Sequence, residues 1–139
     1  MSYDVNLLDP ITKKVIEISD AHFIRGGTYK MGGSTELSLN ITWNYGSILR
    51  RFLRPDFSHF TPEEQEERKN ILDWEEAGIR SLYGMTALEA TPILEDAINK
   101  LADDVSEDYW ETTEGNVKRA LNNLLTLCKM RPDAIIDGD

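Results

Sequence analysis

The stretch Asp103-Asp-Val-Ser-Glu-Asp-Tyr-Trp-Glu111 places five carboxylates within nine residues. On a helix, Asp104 and Asp108, or Glu107 and Glu111, would share one face, an oxygen set of the kind that holds Mg²⁺ or Ca²⁺. The run lacks the spacing and central glycine of a calcium loop. Two further readings compete with metal binding: a solvated face that keeps the chain soluble, and a patch that docks on a basic partner. Asp103, Asp104, Glu107, Asp108 and Glu111 are the candidate partner-binding residues. Tyr109 and Trp110 are expected to bury their rings and tie the run to the core, as large aromatics usually do.

A second group of residues could greet an anion or small ligand. Arg25 and Lys30 lie among two glycine doublets, Gly26-Gly27 and Gly32-Gly33. Phosphate and dinucleotide loops need other spacings, followed by a helix. Here strand-like sequence follows, so the doublets read first as hairpin ends. Asn116 joins Arg25 and Lys30 as a candidate ligand-binding residue, because the first turn of a helix gives its amide no evident duty. Alternatively, that amide hydrogen-bonds to the preceding Tyr109-Trp110 segment and orders it. Nucleophilic catalysis has little to draw on. The chain holds two histidines, His22 and His59, and one cysteine, Cys128. Cys128 falls on an apolar helical stripe, where a buried inert thiol is expected. No catalytic residue, cofactor or metal centre is assigned, and no intramolecular disulfide can form.

The elements that would position these residues divide the chain in two. Tyr3, Val5 and Leu7 alternate with polar residues, and Asp9-Pro10 signals a turn before Val15, Ile16 and Ile18. From Glu36 to Trp43 the alternation is clearest, with Leu37, Leu39, Ile41 and Trp43 predicted to share one face. Ser47 is a candidate cap for a short helix through Leu53, interrupted at Arg54-Pro55. Thr61-Pro62-Glu63-Glu64 predicts a helix running to about Glu76, and Thr91-Pro92 predicts another over Ile93, Leu94, Ala97, Ile98 and Leu101. The last helix should begin near Thr112 or Thr113, carry Val117, Ala120, Leu121, Leu124 and Cys128 inward, and end before Pro132. Ile135 and Ile136 are too apolar to dangle in water, so the tail should dock. Strands first and helices second imply an α+β fold, an N-terminal antiparallel sheet covered by C-terminal helices. One domain of 139 residues is expected, with a β-rich part over 1–54, a charged helical insertion over 55–77 and a helical part over 78–139.

Charge is distributed unevenly. The first 60 residues carry 6 acidic and 7 basic side chains; the remainder carry 19 and 8, which accounts for the net charge of −10. A field of that sign repels phosphate backbones and attracts cationic protein surfaces. Direct nucleic-acid binding by the rear half is therefore disfavoured. The chain shows no leader pattern and no long apolar run, so neither membrane insertion nor export is expected, and the cytoplasm is the default.

Five segments stand out: Arg25-Gly-Gly-Thr-Tyr-Lys-Met-Gly-Gly33, Asn40-Ile-Thr-Trp-Asn-Tyr45, Gly78-Ile-Arg-Ser-Leu-Tyr-Gly84, Tyr109-Trp-Glu-Thr-Thr-Glu-Gly-Asn116 and the close from Arg131-Pro-Asp133 to Asp137-Gly-Asp139. Together they resemble a family of small proteins, without an assigned reaction, encoded by phages and prophages of Gram-positive bacteria. The similarity skips the region from Pro55 to about Glu76. It carries over no catalytic residues. It implies a phage accessory gene, a setting in which small acidic proteins disarm host defence, anti-CRISPR proteins among them. The function expected is thus a non-enzymatic inhibitor that meets a basic surface of a host nucleic-acid-binding protein. The alternative is a phage accessory protein that binds a small ligand or divalent metal.

Overall fold

A computed structural model describes residues 2–22, 34–53, 61–63, 78–108 and 110–138. The fold is α+β. Its main sheet has the order β4-β1-β5, with β1 at Ser2–Leu8, β4 at Ser38–Thr42 and β5 at Ile135–Gly138, all antiparallel. Register brings Tyr3 opposite Ile41, Val5 opposite Leu39 and Leu7 opposite Ile136. All six of these side chains are buried, so the period-2 alternation of the sequence becomes one covered face.

The strand expected from Glu36 to Trp43 is broken at Leu37. There Leu7 N–H donates to the Leu37 carbonyl, Ile16 N–H to Leu7, and Leu37 N–H to Ile16, each at 2.9 Å. At this three-way junction β2 (Glu17–His22) and β3 (Ser34–Glu36) leave the main sheet as an antiparallel pair of their own. The residues joining them, including Arg25, Lys30 and the glycine doublets, lie outside the described residues. Trp43 also departs from the expected strand. The Thr42 side chain accepts from Asn44 N–H and turns the chain into a 3-10 turn over Trp43–Tyr45. That turn runs directly into α1 (Gly46–Phe52), so Ser47 lies inside α1 and is not its cap.

Two longer helices cover the sheet. The first, α2 (Ala87–Lys100), begins before the predicted Thr91-Pro92 start. Thr86 and Glu89 form a reciprocal capping box, with Glu89 N–H 3.1 Å from the Thr86 hydroxyl. Ala87 and Leu88 N–H donate to the carbonyls of Ala134 and Pro132 at 2.7 and 3.0 Å. The C-terminal tail therefore satisfies amides that a helix start leaves without partners. Pro92 sits inside α2, where its ring deprives the Leu88 carbonyl of a donor; Leu88 is 66% exposed, so water can serve that turn. A 3-10 helix over Gly78–Leu82 precedes α2 and packs Ile79 and Leu82 into the core.

Glu114–Met130 forms α3, capped by Thr113 as the sequence predicts. It buries Val117, Ala120, Leu121, Leu124, Leu127 and Cys128. The helices run antiparallel, since Lys129 near the end of α3 pairs with Glu95 while Ala102 N–H reaches Glu114 at its start. The tail docks as expected, and does so as a strand. Ile136 N–H donates to Met85 and its carbonyl accepts from Gly84, so β5 is flanked by β1 on one side and by residues 84–86 on the other. Arg131 holds the approach to it, in a two-pronged pair with Asp133 at 2.9 Å and 3.6 Å from Asp9. Hydrogen bonding to Arg131 keeps the Asp133 carboxyl below its ordinary range. Hydrogen bonds from Thr12 and Ile11 N–H do the same for Asp9.

The expected insertion over 55–77 lies outside the described residues apart from Thr61, Pro62 and Glu63, which are exposed. No helix among the described residues is long and apolar enough to cross a membrane.

Candidate functional site

The acidic run is not helical. Leu101 ends α2 by donating to Ala97 and Ile98, and the described residues between 102 and 113 form an irregular connection to α3. Short-range side-chain bonds explain why. The Ser106 hydroxyl accepts from Asp108 N–H at 3.1 Å, and Asp108 Oδ1 accepts from Trp110 N–H at 3.0 Å. Such bonds offer the backbone an alternative to the helical ladder. The shared faces expected for Asp104 with Asp108 and for Glu107 with Glu111 therefore do not form. Among the described residues, no group of three or more His, Cys, Asp or Glu side chains could hold a metal ion.

What holds the loop is Asn116, which is buried with only 3% of its surface exposed. Its Oδ1 accepts from Ser106 N–H at 3.1 Å, while Nδ2 donates to the carbonyls of Asp108 at 3.1 Å and Glu111 at 3.0 Å. The ordering role read from the sequence is what the geometry shows. Its amide is thereby engaged with three backbone groups of the loop. Asn116→Ala should lower stability by about 1–3 kcal/mol, because the amide's backbone partners lose their protein contacts. Chemical denaturation checks this, and an unchanged midpoint would show that the three bonds contribute nothing.

Around this pin the carboxylates take distinct positions. Asp104 accepts from Gly115 N–H at 3.0 Å, and Asp103 pairs with Lys118 at 2.7 Å. Glu114 accepts from Ala102 N–H at 3.2 Å and meets Arg51 at 3.6 Å. These acids lie near the first turn of α3, where negative charge complements the helix dipole. The Ser106 hydroxyl donates to Glu111 Oε2. Despite these bonds, Asp103, Asp104, Glu107, Asp108 and Glu111 are all exposed. The loop thus presents a band of carboxylates on a backbone that is held in place.

Trp110 does not bury its ring; it is 47% exposed, and Tyr109 lies outside the described residues. The segment is anchored through the Trp110 carbonyl, which accepts from Asn44 Nδ2 at 3.1 Å, and through the Thr112 hydroxyl, which donates to the Asn44 carbonyl at 2.8 Å. These bonds bring the loop beside Trp43, whose ring stacks on Tyr3 with centroids 4.8 Å apart and planes at 20°. The Arg80 guanidinium lies 5.1 Å from the Trp43 ring and 5.5 Å from the Tyr3 ring. Burial raises the Tyr3 phenol above its usual range, against the opposing influence of Arg50 and Arg80. Sequence reasoning missed this cluster because it placed Trp43 in the strand, on one face with Leu37, Leu39 and Ile41. The available signal was the polar setting of Trp43, between Thr42 and Asn44. No family model, curated protein or solved structure matches this chain.

Cys128 is fully buried, and desolvation pushes its thiol up to about 11. The native protein should therefore leave Ellman's reagent unreacted near pH 8, whereas the unfolded chain should react fully, because the thiolate is the nucleophile. Rapid labelling without denaturant would contradict this burial. A thiol raised in the folded state contributes stability below its unfolded value, and that contribution fades as pH rises through about 11.

Proposed function

We propose that the chain is a non-enzymatic inhibitor that docks its acidic loop on a basic surface of a host nucleic-acid-handling or defence protein. The resemblance to phage-encoded proteins supplies the setting, the cytoplasm of an infected host, and anti-CRISPR-like action is the form of inhibition it suggests. The observation that carries the reading is the loop itself: five exposed carboxylates on a backbone pinned by the buried amide of Asn116. Preorganised charge of one sign favours fast, selective encounter with a surface of the opposite sign. Internal bonds alone account for part of this arrangement, since Asp104 also caps α3. They do not require Glu107, which adds charge to the same exposed stretch.

Affinity capture from host lysate tests the proposal. The bait is the full chain beside two variants, one reversing Asp103, Asp104, Glu107 and Asp108 to lysine, the other reversing Glu63, Glu64, Glu66 and Glu67. A nucleic-acid-handling protein retained at about 50 mM salt by the wild type and the second variant, but lost from the first, is the expected result. Capture unaffected by loop reversal would refute the reading.

A further inference from the structure

The exposed indoles extend the docking surface beyond charge. Trp43 and Trp110 are 37% and 47% exposed, and Asn44 links their backbones through hydrogen bonds to Trp110 and Thr112. Asp108 accepts from Trp110 N–H, and Glu111 follows Trp110 directly, so carboxylates flank the second indole in the chain. Arg80 already lies within cation–π distance of Trp43, so the ring accommodates a guanidinium in the molecule itself.

Resting on the reading above, we propose that Trp43 and Trp110 are the anchors of the docking surface, and that they receive arginine side chains from a basic protein segment. Arginine suits both halves of this surface. Its planar group stacks on aromatic faces and pairs with carboxylates in two-pronged fashion, whereas the compact, strongly hydrated lysine ammonium does neither as well. Tryptophan and arginine also dominate the energetic centres of protein interfaces. Exposed tryptophans can stack on unpaired bases as well. Here the neighbouring carboxylates oppose a phosphate backbone, so a protein segment is the occupant favoured.

The test uses ¹⁵N-labelled full-length protein, two peptides of alternating glycine with either arginine or lysine, and the indole N–H signals assigned by single Trp→Phe variants. The arginine peptide should shift the Trp43 and Trp110 signals and bind about fivefold more tightly than the lysine peptide. Trp110→Ala should weaken arginine-peptide binding by about fivefold. Trp43→Phe, which retains a ring for the Tyr3 stack, should weaken it by about twofold. Melting temperatures measured alongside separate lost binding from lost folding. Equal affinity for the two peptides, unmoved indole signals, or no binding up to about 1 mM would overturn the inference. If the arginine peptide binds through the reversed acids but ignores both tryptophan variants, the anchors are refuted while the acidic docking face stands. If the tryptophan variants matter and acid reversal does not, the charge-based reading fails and the anchors stand.

Discussion

Leu121→Ala and Leu124→Ala should each destabilise the protein by about 2–5 kcal/mol, the range for removing buried methylenes and leaving a cavity. Both side chains are fully buried on the stripe of α3 that faces inward. They share the core with Val5, Leu39 and Ile41 from the sheet and with Leu94 from α2, so the lost contacts span both layers. The site should collapse poorly, because secondary structure fixes the surrounding backbone on both sides. Denaturant titration of each variant checks the result. An unchanged midpoint in both would mean that α3 does not pack on the sheet.

Gly115→Ala should also be destabilising, although helix propensity alone predicts the opposite sign. Exchanging glycine for alanine inside a helix ordinarily stabilises by about 1 kcal/mol. At Gly115 an added Cβ would come within 2.5 Å of Val105 N, 2.6 Å of the Asp104 carbonyl carbon and 2.8 Å of Asp104 N. These are backbone atoms, so the acidic loop must move as a unit, breaking the Asp104 bond to Gly115 or the Asn116 bonds to the loop. Overpacking of this kind costs about 1–3 kcal/mol, occasionally more, and so outweighs the propensity gain. Thermal unfolding gives the sign. A higher melting temperature in Gly115→Ala would show that the loop is not seated against α3 as described.

Much of the scaffold was legible because it follows periodicity. Leu39 and Ile41 face inward as alternation requires, and the stripe from Val117 to Cys128 is buried as helical spacing requires. Asn116 was legible by exclusion, as a polar residue without a local duty at a helix start. The misreadings share a cause: each was decided by a bond that periodicity does not encode. Thr42 ends the strand by accepting from Asn44 N–H, which takes Trp43 out of the sheet. The acids of 103–111 recur at helical intervals, yet Ser106 and Asp108 bond to backbone two residues on and keep the segment irregular. For α2, the sequence predicts a start at Thr91-Pro92, whereas tail carbonyls favour an earlier start at Thr86 by accepting from Ala87 and Leu88. That tertiary contact links residues more than forty positions apart and leaves no local trace.

The acidic loop is the part of the candidate site that the sequence marked, and the tryptophans are the part it concealed. Asn44, the chain neighbour of Trp43, reaches the Trp110 carbonyl across the fold. Charge and anchors should act at different stages of association. Exposed carboxylates steer the encounter, so their effect falls on the association rate and fades with salt. In the proposed complex the indoles of Trp43 and Trp110, exposed in the free chain, would hold the partner once docked, so their loss should fall mainly on dissociation.

The most direct measurement of the proposed docking is the association rate constant between the chain and a nucleic-acid-handling protein recovered by affinity capture, followed as salt rises. From about 50 to about 500 mM, screening shortens the reach of charge from roughly 14 Å to about 4 Å. Wild-type association should slow steeply over that range. Reversal of Asp103, Asp104, Glu107 and Asp108 should impose a slow rate already at low salt, whereas reversal of Glu63, Glu64, Glu66 and Glu67, an equal change in charge, should leave most of the rate intact. Equal slowing by both reversals would reduce the effect to net charge, and a rate indifferent to the loop at every salt concentration would contradict the assignment of this face as the docking surface.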